Sequence, residues 1–174
     1  KAVDFKLKNI DGSTVSLTSN KKVKGYILVF TCNTCPYSVM YEDRIIALHK
    51  EFAPKGFPVL AIQPNDPVVS PGDSFIKMKQ RAAEKGFDFP YLMDETQQIT
   101  KAYGATNTPH VYVLSKKATD LFEVAYIGAI DNNSRRAENA DKHYVKDAVE
   151  SLLTGEDIAT NNTKAIGCTI KWAK

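Results

Sequence analysis

The chain is poor in cysteine. Only three cysteines occur in 174 residues, at positions 32, 35 and 168, so disulfide bonds do not hold this fold together as they do in small secreted scaffolds. The length suffices for one domain with its own hydrophobic core, and no repeat, low-complexity tract or linker divides the sequence. We therefore expect a single domain over residues 1–174.

Long apolar runs and concentrated charge are also missing. No run approaches the ~18 apolar residues of a membrane span, which predicts no membrane-spanning segment. The formal net charge is only +3 and the lysines are dispersed, so nucleic acid is not an expected partner. One Cys-x-x-Cys pair is weak for zinc, which usually takes four ligands, and we expect neither a metal nor an organic cofactor.

What is present is a Cys-x-x-Cys pair between a strand and a helix. Residues 26–30 are continuously apolar, as in a strand covered on both faces. Pro36 is favoured at a first helical position, and apolar residues repeat at helical spacing from Tyr37 to Phe52. The pattern predicts a strand over 26–30 and a helix over 36–52 with Cys35 as its N-cap.

This placement makes Cys35 the candidate nucleophile. A helix N-terminus offers unpaired N–H groups and the positive end of the helix dipole, and both favour a thiolate, which is the reactive form of cysteine. Cys32, three residues earlier, is then the expected resolving thiol through a Cys32–Cys35 disulfide. The alternatives are an inert structural disulfide or two unrelated buried thiols.

The rest of the pattern predicts an α/β protein. A strand over 59–62 follows the helix closely, which predicts a βαβ unit with a right-handed parallel crossover, and residues 4–17 have the pattern of a hairpin that turns at Asp11-Gly12. Further elements are expected as a helix capped by Ser70 or Asp73, a short strand within 87–93, a helix over 96–103, antiparallel strands over 111–114 and 124–127, and a helix over 140–153.

A second landmark is Thr108-Pro109, just before the strand at 111–114. With the cysteine pair and this element order, it resembles the thioredoxin superfamily, in which a Thr-Pro with a cis bond faces the cysteine loop. The resemblance implies a thioredoxin-like fold, with a central mixed β-sheet flanked by helices and an N-terminal β-hairpin. It also implies that Thr108 and Pro109 present a backbone edge to a bound thiol substrate and keep metals from the cysteines.

A closer resemblance runs along nearly the whole chain. The start, Ala2-x-Asp4-Phe5-x-Leu7, is similar to the redoxin group (alkyl hydroperoxide reductase/thiol-specific antioxidant proteins). The set most similar to the bacterial peroxiredoxin-like thioredoxin-family proteins comprises Cys32-Asn33-x-Cys35-Pro36-Tyr37, Tyr41-Glu42-Asp43-Arg44, Pro64-Asn65-Asp66, Asp73-Ser74-Phe75, Pro90-Tyr91-Leu92-x-Asp94-Glu95, Tyr103-Gly104-Ala105, Gly128-x-Ile130-Asp131-Asn132 and Gly167-Cys168-x-Ile170-Lys171-Trp172. The Pro-x-x-x-Thr-x-x-Cys motif of peroxiredoxins fits neither Cys35 nor Cys32.

Other residues have two interpretations each. Cys168 is either a small buried hydrophobic residue, the interpretation we favour, or a resolving or regulatory thiol that docks near Cys35. His110 is either an ordinary histidine with satisfied hydrogen bonds or an imidazolium that favours the thiolate. The charged run 42–44 is either solvated or contains a buried acid–base partner of the thiols.

The leading functional hypothesis is a thiol–disulfide oxidoreductase that acts on protein or small-molecule thiols and disulfides, with an electron donor that the sequence does not identify. The second is a thiol peroxidase, with a sulfenic acid at Cys35 resolved by Cys32 or Cys168. The third is a metal-binding module. No secretory signal pattern is present. However, the chain begins at Lys1 and not at a methionine, in a segment that already has a structured pattern, so the missing signal is not evidence for the cytoplasm. We expect an exported protein of the bacterial periplasm, with the cytoplasm as the alternative.

Overall fold

Nine β-strands and four α-helices make up the computed structural model, which describes residues 1–174. The strands are β1 (Leu7–Asn9), β2 (Thr14–Val15), β3 (Gly25–Phe30), β4 (Val59–Gln63), β5 (Tyr91–Met93), β6 (Asn107–Thr108), β7 (His110–Ala118), β8 (Leu121–Gly128) and β9 (Cys168–Thr169). The helices are α1 (Pro36–Phe52), α2 (Phe75–Lys85), α3 (Gln98–Tyr103) and α4 (Tyr144–Thr154).

Seven strands form one mixed sheet in the order β2-β1-β5-β4-β3-β7-β8. The pairs β3–β4 and β4–β5 are parallel, while β1, β7 and β8 join antiparallel to their neighbours. β1 and β2 form the N-terminal hairpin, and Gly12 takes the left-handed φ of +88° that the turn requires. This arrangement confirms the predicted α/β fold with a central mixed sheet and an N-terminal hairpin.

The central strand β3 explains why the sheet needs cover on both faces. Ile27 and Val29 pack in a cluster that includes buried residues of α1, α2 and α4, whereas Leu28 and Phe30 pack in a second cluster on the opposite face. All four side chains are fully buried. Successive side chains of a strand point to opposite faces, so a continuously apolar strand lies between two apolar layers and its end is fixed in position.

The helix ends match the sequence prediction closely in one case and less closely in two. Helix α1 begins at Pro36 behind an N-cap at Cys35, as predicted. Helix α2 is instead capped by Ser74, whose side chain accepts from the Lys77 N–H, so the prediction of Ser70 or Asp73 was wrong. The last helix starts at Tyr144 rather than near 140, since residues 137–139 form a separate 3-10 turn.

A small second sheet was not predicted at all. The two-residue strands β6 and β9 pair antiparallel, with Thr108 opposite Cys168 and Asn107 opposite Thr169. Two residues are too few to show a strand periodicity, so the sequence pattern carries no signal for this contact. Its consequence is that the C-terminal segment lies against the residue that precedes Pro109.

Candidate active site

The cysteine loop joins the end of β3 to the start of α1. Cys35 has an extended backbone and its carbonyl oxygen accepts the first helical hydrogen bond, from the Val39 N–H at 2.9 Å. No side chain caps this helix and no acidic residue occupies its first turn. The first N–H groups of α1, next to Cys35, therefore have no side-chain partner. A negative charge is favoured at such a helix N-terminus, so the position favours a thiolate at Cys35.

Both sulfurs of the Cys-x-x-Cys pair lie against Thr108. The Sγ atom of Cys35 is 3.4 Å from the Thr108 carbonyl oxygen, and that of Cys32 is 3.5 Å from the Thr108 hydroxyl. Cys32 also faces the hydroxyl of Ser38, at 3.8 Å. Thr108 is fully buried and its bond to Pro109 is cis, so the structure brings together the two predicted cysteines and the predicted Thr-Pro pair.

The disulfide bond of the structure joins Cys35 to Cys168, across 133 residues of sequence. Cys32 is a free, buried thiol. This pairing differs from the Cys32–Cys35 bond that the sequence predicts, and it gives Cys168 a covalent role instead of the preferred interpretation as a small buried hydrophobic residue. Cys168 is partly exposed, and its strand β9 holds it opposite Thr108. The resolving role of Cys32 stays a prediction.

The C-terminal segment is held mainly through its backbone. Asn107 donates its side-chain amide to the Gly167 carbonyl at 3.0 Å, and the Ile170 N–H bonds to the Thr106 carbonyl at 3.2 Å. A Cβ at Gly167 would overlap the Thr108 carbonyl oxygen, so only glycine permits this approach. Ile170 is the one buried apolar anchor of the segment's end, in the cluster shared with Phe30.

Two further amide side chains hold the end of this segment. Gln97 donates to the Lys171 carbonyl at 2.9 Å and accepts from the Ala173 N–H at 3.0 Å. Asn65 accepts from the Lys171 N–H at 2.9 Å. These contacts recognise main-chain groups, so they set the path of the segment without selecting its side chains.

Asp73 anchors the loop between the two cysteines, and the sequence analysis missed this role. Its buried carboxylate accepts from the Asn33 N–H at 2.7 Å and from the Thr34 hydroxyl at 2.9 Å. The Asn65 amide and the Ser70 hydroxyl complete its hydrogen bonds. The signal was present but ambiguous, because an aspartate just before a helix is also typical of an N-cap.

Tyr91 supports the same loop from the sheet. Its hydroxyl donates to the Asn33 side-chain oxygen at 2.7 Å. Burial raises the pKa of Tyr91 well above its usual value, and the nearby Cys32 and Asp73 act in the same direction. Tyr91 is therefore a neutral hydrogen-bond donor at any physiological pH, and it fixes the loop without taking part in proton transfer.

The charged side chains at 42–44 form ion pairs with other side chains and make no hydrogen bond to the cysteine sulfurs. Glu42 is buried, and both its oxygens bond to the guanidinium of Arg81. Asp43 pairs with Lys85 at the surface, at 2.8 Å. Arg44 bonds to the buried Asp131, also at 2.8 Å. Each of the three has an ion-pair partner, and Glu42 is the one that is buried.

His110 lies next to the cis bond at the start of β7. Its ring stacks on Tyr112, and its Nδ1 accepts from the Thr106 N–H at 3.3 Å. Burial lowers the pKa of His110 to about 4, so the ring is neutral at pH 7. This charge state differs from the imidazolium that the accessory hypothesis requires. The ring instead supports the segment 106–108 that binds β9.

Two other observations concern the alternatives. No group of three or more His, Cys, Asp and Glu side chains is arranged to hold a metal ion, so the metal-binding hypothesis has no cluster to support it. None of the helices has the length and apolar character that crossing a membrane requires.

The comparison with protein families agrees with the redox site seen in the structure. The model of the AhpC/TSA family matches residues 1–123, which is most of the chain and includes both cysteines of the pair and Thr108-Pro109. The chain belongs to the AhpC/TSA family. The redoxin resemblance inferred from the sequence motifs is thereby confirmed. No curated protein matches the chain at a significant level.

Several solved structures are similar to this chain. An uncharacterized conserved protein from Geobacillus kaustophilus is 35% identical, with a TM-score of 0.88 over 99% of this chain and 90% of that one. A hypothetical protein from Sinorhizobium meliloti 1021 is 29% identical, with a TM-score of 0.89 over 99% and 93%. A thioredoxin-family thiol:disulfide interchange protein from Chlorobium tepidum TLS is 20% identical, with a TM-score of 0.64 over 87% and 94%. The last similarity is one of fold and confirms the thioredoxin-like architecture of this AhpC/TSA chain.

Proposed function

We propose that the protein is a thiol–disulfide oxidoreductase with Cys35 as its nucleophile. The observation that carries this proposal is the docked segment 167–169. It presents a cysteine in an extended strand paired with Thr108, and that cysteine is disulfide-bonded to Cys35. A mixed disulfide between Cys35 and a substrate peptide would need the same two contacts, one covalent and one through the backbone edge.

The reaction then follows thiol–disulfide exchange. The Cys35 thiolate attacks one sulfur of a substrate disulfide, the substrate's other sulfur leaves as a thiolate, and a mixed disulfide forms at Cys35. Cys32 attacks the Cys35 sulfur, which closes a Cys32–Cys35 bond and releases the second substrate thiol. Thr108 and Pro109 hold the substrate strand during both steps. Two electrons pass from the cysteine pair to the substrate, and a thiol reductant must restore them.

Reduction of insulin by dithiothreitol tests this proposal. We expect Cys35→Ser to lower the rate to that of dithiothreitol alone, because no other sulfur lies at the helix N-terminus. The double variant Cys32→Ser/Cys168→Ser should accumulate a mixed disulfide with an insulin chain at Cys35, since both internal thiols that could resolve it are gone. Equal rates for wild type and Cys35→Ser would contradict the proposal.

Thiol peroxidase activity is the second candidate, and the Cys35–Cys168 bond within an AhpC/TSA chain favours it. The Cys35 thiolate would take one oxygen from a hydroperoxide, releasing an alcohol, and the resulting sulfenic acid would condense with the Cys168 thiol to a disulfide and water. A dimedone-type reagent should then label Cys35 in Cys32→Ser/Cys168→Ser after peroxide treatment, since neither internal thiol is left to condense with the sulfenic acid. Absence of label, with no thiol-dependent peroxide consumption by wild type, would remove this candidate.

The expected substrates follow from the backbone contacts that the Thr108 edge offers. A main-chain strand contact accepts protein thiols of varied sequence, and a small thiol or disulfide satisfies the covalent step alone. The exported location expected from the sequence remains a proposal, which fractionation of the native host would test.

A further inference from the structure

The backbone edge proposed for substrates is already occupied within the chain. Residues 167–169 pair with Thr108, and Gly167 lies so close to its carbonyl oxygen that no side chain fits there. No second strand can pair with the same edge while this segment is bound. The Cys35–Cys168 form is therefore closed toward any partner that would bind as a strand.

The one thiol that remains in this form faces inward. Cys32 is only 2% exposed, and its sulfur contacts the hydroxyls of Ser38 and Thr108. At this exposure we expect external thiols, disulfides and alkylating reagents to react with Cys32 far more slowly than with an exposed thiol. Cys35, three residues away and in contact with the same Thr108, is the sulfur that Cys32 is placed to attack. Cys168, in contrast, is partly exposed.

We propose that Cys32 opens the closed form by an internal disulfide exchange. The Cys32 thiolate attacks the Cys35 sulfur, a Cys32–Cys35 bond forms, and the Cys35–Cys168 bond breaks. Cys168 leaves as a thiolate and takes up the proton that Cys32 lost. The number of disulfides and the electron count do not change, so the step needs no oxidant or reductant.

The exchange makes the C-terminal segment an internal substrate that gates the site. In the closed form the segment covers the Thr108 edge; after exchange it is held there only by noncovalent contacts, and Cys168 becomes the accessible thiol. This deepens the proposed function, since it rests on Cys35 chemistry and assigns the step that admits an external partner. That partner is a protein or peptide thiol able to pair as a strand once the segment leaves.

Alkylation of the oxidised full-length protein tests the exchange without any substrate. The protein is oxidised until it holds one disulfide, incubated with iodoacetamide under native conditions, acid-quenched and mapped by non-reducing mass spectrometry. We expect alkylated Cys168 together with a Cys32–Cys35 disulfide, in about tenfold or greater excess over alkylated Cys32, because the reagent reaches an exposed thiol and not a buried one. The rate should not depend on protein concentration.

Three variants sharpen the test. Cys32→Ser should show no label at Cys168, since nothing in that chain displaces it. Gly167→Ala should raise the labelling of Cys168 by about tenfold, because an added Cβ would overlap the Thr108 carbonyl oxygen and destabilise the docked segment. Thr169→Ala is the matched control on the same strand: its side chain is exposed, and labelling should stay within about twofold of wild type.

Two outcomes would overturn the exchange. One is label at Cys32 with the Cys35–Cys168 bond intact, which indicates opening of the protein rather than exchange. The other is no label at all, while the same sample in denaturant labels its free thiol completely. Neither outcome depends on insulin reduction, so a failure of the exchange and a failure of the oxidoreductase proposal are separate results.

Discussion

Cys35 and Cys168 share one disulfide but belong to regions that are held in different ways. The loop that carries Cys35 lies between a fully buried strand and a 17-residue helix, and the Asp73 carboxylate binds it through charge-assisted hydrogen bonds. The segment that carries Cys168 is held by a two-residue ladder, amide contacts to its backbone and the buried Ile170.

The difference suits a reversible bond. Hydrogen bonds to a charged group contribute more than neutral ones, and a buried carboxylate that loses its partners is costly, so we expect the loop to keep its geometry when the disulfide is reduced. Neutral backbone contacts contribute about 1 kcal/mol each, so under the proposed exchange we expect the segment to leave once its disulfide breaks. A fixed Cys35 and a partner thiol that can detach are what the proposed exchange requires.

The largest expected effect comes from removing the anchor of the loop. Asp73→Ala leaves the Asn33 N–H and the Thr34 hydroxyl without their acceptor, and we expect the free energy of unfolding to fall by about 3–4 kcal/mol. Urea denaturation measures this difference. Asp43→Ala is the matched control, because Asp43 is exposed and its surface pair contributes at most about 1 kcal/mol. Equal effects of the two changes would contradict the anchoring role.

A smaller effect is expected from removing the tie to the C-terminal segment. Under oxidising conditions Cys168→Ser should unfold more easily than wild type by about 3 kcal/mol, since the disulfide restricts a long loop in the unfolded chain. With excess dithiothreitol the two proteins should differ by less than about 0.5 kcal/mol. A large difference under reducing conditions would mean that the Cys168 side chain stabilises the segment by packing instead.

The smallest effect concerns the support that His110 gives to residues 106–108. Its pKa is near 4 in the folded protein and about 6.5 when unfolded, so the unfolded chain takes up a proton first as pH falls. The stabilisation is therefore complete above pH 6.5 and is lost as pH falls toward 4. We expect wild type to lose about 2 kcal/mol more than His110→Gln across this range.

Urea unfolding at pH 7.5 and 4.5 measures this double difference, and the acidic residues cancel because both proteins carry them. Parallel pH profiles for the two proteins would show that the ring is not buried as a neutral group.

The elements with strong local signals were predictable. The apolar run of β3, Pro36 at the helix start and the helical repeat to Phe52 gave the correct position of α1 and of its N-cap Cys35. The prediction of the α2 cap was wrong for a physical reason. Asp73 and Ser74 are both good capping residues, but the Asp73 carboxylate accepts from the distant Asn33 N–H, and Ser74 caps the helix instead.

The sequence by itself determined the order of strands and helices and the place of Cys35 at the N-terminus of α1, because hydrophobic periodicity and proline act over a few residues. Its resemblance to the thioredoxin superfamily implied the thioredoxin-like fold and the position of Thr108-Pro109 beside the cysteines. Only the tertiary structure decided which sulfurs pair, that Asp73 serves the loop, and that His110 is neutral. Each of these depends on groups brought together from distant parts of the chain: Cys35 and Cys168 are 133 residues apart, and no local pattern specifies which of two available thiols a folded chain will place against a third.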